Sequence, residues 1–193
     1  MTSRRGVLKG SLAAVAAAAV WRNGQAQTPR RREHGPDHFV LDPGSPLSAT
    51  IEGHARAAAI PAFATEGDIT ALWFDILEPL WRQGKSTVAG VTSPEAIFCL
   101  ERLAWDHGMR MVFRADEVTN ASVTELRLSA RPAALDHALS TLVRNPRGQL
   151  AQATCLLHCP IAEGPLIAHA LRTNGPAPNA HWVSWLMAPR ARA

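Results

Sequence analysis

The 193-residue chain contains no tyrosine, and its only lysines are Lys9 and Lys85, against 18 arginines. In a chain this rich in alanine, that bias reads as the mark of a GC-rich genome rather than of a binding function. Cysteine is scarce too: Cys99, Cys155 and Cys159 are too few for a disulfide scaffold. G-x-G-x-x-G, H-E-x-x-H and G-x-S-x-G are all absent, which leaves dinucleotide binding, zincin chemistry and a hydrolase elbow without support. Gly84-Lys85-Ser86 cannot close a phosphate loop, because Pro79 stands where the first glycine is needed and the segment follows a helix rather than a strand. Basic charge is also missing from the body of the chain. The formal charge is +4, and residues 1–26 supply all of it through Arg4, Arg5, Lys9 and Arg22. The remainder is balanced, which argues against a nucleic-acid partner.

Residues 1–26 have the three-part layout of a cleavable signal peptide. A charged start leads into an apolar run from Leu12 to Trp21, and Gly24 and Ala26 form a small-residue cleavage site. That run is too short to span a bilayer, which takes about 20 apolar residues, and no later stretch approaches that length. No mature transmembrane segment is therefore expected. Ser3-Arg4-Arg5-Gly6-Val7-Leu8-Lys9 resembles the twin-arginine (Tat) signal motif, with Val7 in place of the usual Phe. The resemblance covers the leader alone. It implies a bacterial protein passed to the Tat export machinery already folded and delivered to the periplasm. Cargo of that class often carries a cofactor, or travels with an exported redox enzyme that does.

Residues 27–50, with Arg30-Arg31-Arg32, four prolines, His34 and His38, read as a flexible arm. Residues 51–193 then read as one α/β domain, long enough for a sizeable core. Ile69, Leu72, Trp73, Ile76, Leu77 and Leu80 recur at helical spacing; Asp68 caps that helix, Pro79 kinks or ends its regular part and Gly84 stops it. Thr87–Thr92 suits a buried strand. Ser93-Pro94-Glu95 starts a second helix, apolar on much of its surface, that Gly108 ends. Met109–Ala115 alternates as a strand, so residues 87–115 form a βαβ unit, with helices packed on a short mixed sheet. Ser122–Leu128 reads as a strand, 132–144 as a helix, 165–173 as a helix stopped near Asn174-Gly175, and His181–Ala188 as a last strand. Residues 51–60 and 149–158 fit helix or strand equally.

Two groups of residues invite a chemical reading. Ligands of parallel sheets bind at strand C-termini beside helix N-termini. Thr92 and Ser93 stand there, and Arg114 and Asp116 at the end of the next strand complete a candidate site for a small anionic ligand. The alternative is ordinary capping plus an ion pair. Cys155, His158 and Cys159 are the densest soft-ligand cluster, at a spacing that shares one helical face. Three readings stay open for them: a local disulfide, buried thiols, or a metal or redox centre. Cys99 is expected in the core. Trp73 is expected there too, with Trp81, Trp182 and Trp185 as candidates for an aromatic surface. No catalytic residue or cofactor stands out. The chain reads first as an exported accessory or small-ligand-binding protein that catalyses nothing itself. The alternative is a small metal- or thiol-dependent enzyme using the Cys155/His158/Cys159 cluster.

Overall fold

A computed structural model describes residues 35–65, 68–84, 86–120, 123–143, 148–174 and 181–190. The leader, Arg30–Arg32 and His34 lie outside the described residues. The described residues form a mixed α/β domain built on a seven-stranded sheet. In chain order the elements are β1 (His38–Leu41), α1 (Ser48–Ala57), β2 (Ala62–Ala64), α2 (Ile69–Leu72), a π-helical turn (Trp73–Leu77), α3 (Glu78–Gln83), β3 (Val88–Thr92), α4 (Pro94–Asp106), β4 (Met109–Asn120), β5 (Val123–Ala130), α5 (Pro132–Leu142), α6 (Gln149–Leu157), β6 (Ile167–Asn174) and β7 (Trp182–Pro189). The strands lie in the order β2-β1-β3-β7-β4-β5-β6. β2, β1 and β3 are parallel, and every later pairing is antiparallel.

The strand–helix–strand unit over 87–115 is present in a split form. β3 and β4 run the same way, but the last strand, β7, lies between them and antiparallel to both. This places Trp185 directly opposite Gly90. A Cβ on Gly90 would lie 2.5 Å from the Val40 carbonyl oxygen and 2.6 Å from the Trp185 ring. Only glycine lets the indole lie against the strand, and the indole N–H then donates to Thr92 Oγ1 at 3.0 Å.

Helices cover both faces. On one face α1, α5 and α6 bury Ile51, Ala138, Leu142 and Leu156 against Phe39, Phe113 and Leu128. On the other, the segment from α2 to α3 and helix α4 bury Leu77, Trp81, Ile97 and Leu100 against Val40, Met111 and Trp185. A fully buried Leu or Ile contributes about 2 kcal/mol, so each face is held by many such terms. Local signals act as expected at α4: Ser93 Oγ accepts from Ala96 N at 3.3 Å, and Gly108 ends the helix with φ of 69°. Asp68 likewise caps Thr70 N.

Several expectations are corrected. The arm over 27–50 is not irregular from His38 onward, because β1 pairs with both β2 and β3 and α1 begins at Ser48. Residues 51–60 and 149–158, which fit helix or strand equally from sequence, fall largely in helices. Pro79 does not end its helix. The π turn just before it, closed by Glu78 N on Trp73 O, widens the backbone where the proline ring would meet the preceding turn. Residues 165–173 form strand β6 rather than a helix, because the ladder to β5 runs from Ile167↔Ala130 to Asn174↔Val123. β6 is an outer strand, and Leu166 just before it and Ile167, its first residue, are exposed. Cys99 is exposed as well: α4 turns Ile97, Leu100 and Ala104 inward, leaving Phe98, Cys99 and Trp105 outside. The helix is apolar on both sides, so composition alone could not tell its faces apart.

Candidate functional site

Strand β4 carries two arginine sites, one near its start and one at its middle. Arg114 and Asp116 are not at the end of the strand as expected from sequence, because β4 runs on to Asn120 in its ladder to β5. In mid-strand, Arg114 meets Asp116 two residues on, on the same face of the strand. Nε and one terminal nitrogen of Arg114 each donate to the Asp116 carboxylate at 2.7 Å. Glu101 of α4 stands 3.9 Å from the third guanidinium nitrogen, and His181 stands 3.9 Å from Asp116. The pair holds the Arg114 proton more firmly than usual, chiefly through its hydrogen bonds to Asp116. The neighbouring Glu95 carboxyl is held below its ordinary range by its own backbone N–H first and then by the Ser93 hydroxyl. Thr92 and Ser93 are also occupied, by the Trp185 indole and by the cap of α4. The four residues nominated from sequence therefore lie near one another, but each is satisfied within the protein. Glu95, Glu101 and Asp116 also give the cluster more negative than positive charge, a poor field for an anion.

The soft-ligand cluster does not assemble. Cys155 and Cys159 are buried, unbridged thiols in the core beneath α1, α5 and α6, whereas His158, between them, faces solvent. The helix ends at Leu157, so the shared face implied by the spacing stops short of His158. Burial pushes the Cys155 thiol up to about 12, and burial plus the neighbouring Cys155 raises Cys159 further. Such thiols are poor thiolate ligands. Among the described residues no group of three His, Cys, Asp or Glu side chains is placed to hold a metal ion. Trp73, Trp81 and Trp185 are core, and Trp182 packs against the opposite cluster, so none of them builds an exposed aromatic surface; among the described residues Phe74, Phe98 and Trp105 are the exposed Phe and Trp side chains.

The start of β4 holds a cleft that sequence reasoning missed. β5 pairs with β4 only from Phe113 onward, and a bulge interrupts β4 between Met111 and Phe113. Residues Met109–Val112 therefore have β7 on one side and no ladder to β5 on the other. A cleft of about 340 Å³ opens there, within the range of roughly 300–1,000 Å³ usual for small-molecule sites. Met109, Met111, Met187 and Ala104 are buried residues in its lining; Trp105 and Leu166 form exposed apolar walls. Its charged lining consists of Arg110, Arg131, Arg190 and Glu101.

The two inner guanidiniums are incompletely satisfied. Arg110 pairs with Glu163, and Arg131 donates to the Gly164 carbonyl. The Nε atoms of both are nevertheless buried with no hydrogen-bond partner among the described residues. Burial, and then the nearby Arg110 charge, loosens the Arg131 proton relative to an ordinary guanidinium. Two like charges held together with unused donors form a site that gains from an anion. The one usable sequence signal was Arg131-Pro132: it marks a helix start and so a strand end just before it, but nothing ties it to Arg110. No family model, curated protein or solved structure matches this chain.

Proposed function

We propose that this chain is an exported, non-catalytic protein of the periplasm that binds a small ligand, acting on its own or as an accessory to another exported protein. The observation that carries the reading is the cleft at the open edge of β4. It combines an apolar floor with a few convergent polar groups, the usual make-up of a small-molecule site. Its lining favours binding over catalysis. Among the described residues it is lined by no His, Cys, Ser or Thr, and Glu101 is the one lining group able to act as a base or nucleophile. Glu101 is itself close to Arg114. Export rests on the leader's likeness to the Tat motif and on its cleavage-site pattern.

Each half has its own test. Replacing Arg4 and Arg5 by Lys is expected to leave precursor in the cytoplasm, and unimpaired export would refute the Tat route. For binding, the mature protein is screened by thermal shift against a library of small anionic and neutral metabolites. A true ligand raises Tm in a concentration-dependent way, because it binds only the native state. No shift from any compound would remove the binding reading, and turnover of a compound by the purified protein would remove the non-catalytic one.

A further inference from the structure

We infer that the ligand of this cleft is a free organic monocarboxylate with an apolar body, its head group held between Arg110 and Arg131 and its body lying over Met109, Met111 and Met187 toward Trp105. The inference rests on the reading of this cleft as a small-ligand site and narrows it to one chemical class.

Three observations converge on it. The first is charge. Three arginines, Arg110, Arg131 and Arg190, line the cleft; Glu163 pairs with Arg110, and the one lining carboxylate, Glu101, stands close to Arg114, so the lining is net positive. That matches an anion better than a neutral molecule. The second is donor geometry. Arg110 and Arg131 both line the cleft, and each gives one terminal nitrogen to a partner within the protein, Glu163 and the Gly164 carbonyl respectively. A carboxylate presents two oxygens that suit the other terminal nitrogens of such a pair. The third is the rest of the lining. The floor is three methionines, whose unbranched thioethers adapt to varied apolar shapes, with Ala104 below and Leu166 at the mouth. A small hydrated anion would leave that floor unused, and a neutral hydrocarbon would leave the net positive charge of the lining unanswered. An amphipathic monoanion fits both halves. The cleft volume suits a molecule with one short chain or ring rather than a two-chain lipid.

Trp105 supplies a direct readout. It lines the cleft yet is 68 % exposed, so a ligand body lying along it would move its indole out of water. The mature protein is titrated with octanoate, octanol and inorganic phosphate in parallel, following tryptophan emission and heat. Octanoate is expected to bind tightest and to shift emission to the blue. Arg110→Gln plus Arg131→Gln is expected to weaken octanoate by roughly tenfold for each guanidinium while leaving octanol unaffected. Circular dichroism of that variant establishes that it is folded, and the wild-type ranking of the three probes stands even if it is not.

Phosphate binding as tightly as octanoate would overturn the apolar body. Octanol binding as tightly would overturn the carboxylate. Either result leaves the small-ligand reading intact. Flotation of the protein with phosphatidylglycerol vesicles, with no response to octanoate, would place the anion in a membrane and overturn the free carboxylate. No response to any probe also overturns the inference, and the metabolite screen then decides the broader reading separately.

Discussion

The two arginines of β4 differ little in exposure: the side chain of Arg110 is 20 % exposed and that of Arg114 is 28 % exposed. They differ in what surrounds them. Arg114 sits where β4 lies between β7 and β5, and the regular two-residue repeat of the strand brings Asp116 alongside it. Arg110 sits before the bulge, where β5 has ended, and its neighbour across the gap is another arginine, Arg131. Regular pairing thus produces a neutralised, self-contained cluster. Interrupted pairing produces an open cleft with surplus charge. Burial alone does not mark a binding site; a deficit of partners does.

The largest effect is expected from breaking the packed end of the sheet. In Gly90→Ala the new methyl would meet the Val40 carbonyl and the Trp185 ring, and neither can yield without moving a buried strand or indole. A loss of about 3 kcal/mol or more is expected in urea unfolding. A loss below about 1 kcal/mol would show that Trp185 can move, and with it the strand opposite Arg114.

The buried thiols come next. Their native proton affinity is raised above the ordinary value of 9.0, so the folded chain keeps protons that the unfolded chain releases. Unfolding is therefore favoured as pH rises above 9, by about 1.4 kcal/mol per thiol for each pH unit. Stability measured in reductant from pH 8 to pH 10.5 should fall, and Cys155→Ala plus Cys159→Ala should flatten the fall. At neutral pH only Cys99 should react quickly with a thiol reagent. Rapid reaction of all three would mean that the Cys155 region opens readily, and would restore the case for chemistry there.

A smaller effect separates the middle of β4 from its start. Arg114→Met leaves the Asp116 carboxylate without its two charge-assisted bonds. A loss of about 1–2 kcal/mol is expected, discounted because both groups are partly in water. Anion binding at the cleft should be unchanged. A simultaneous loss of ligand affinity would mean that the two sites are coupled through the strand.

What the sequence made legible was what neighbouring residues decide. Ser93-Pro94-Glu95, Gly108 and the apolar run of β3 specify a start, a stop and a buried strand within a few positions. The insertion of β7 between β3 and β4 depends on pairing across about ninety residues, and only the tight fit of Trp185 over Gly90 hints at it. β6 was misread because Leu166, Ile167, Ala170 and Leu171 also fit helical spacing; the ladder to β5 overrides that local preference. The cleft was invisible for a related reason. Arg110 and Arg131 lie 21 positions apart, and a bulge together with the end of β5 makes them neighbours. The Arg114 and Asp116 cluster was visible because two residues on alternate positions of one strand must share a face. Being easy to see from sequence, it was also the kind of pair that satisfies itself.

The smallest expected change in stability is the most discriminating. Arg131→Leu removes one bond to the Gly164 carbonyl, but it also removes a buried unpaired donor and a charge beside Arg110. These terms oppose one another. The backbone bond from residue 131 N to the Val112 carbonyl is kept, so the turn into α5 should hold. Leucine adds apolar surface beside Leu166. Tm should therefore stay level or rise slightly, whereas Arg114→Met lowers it. Replacing a buried charge by a well-packed apolar side chain is often neutral or stabilising when the charge is poorly paired. A fall in Tm matching that of Arg114→Met would mean that Arg131 is as well satisfied as Arg114. The contrast between the start and the middle of β4, and the surplus charge on which the ligand class depends, would then be lost.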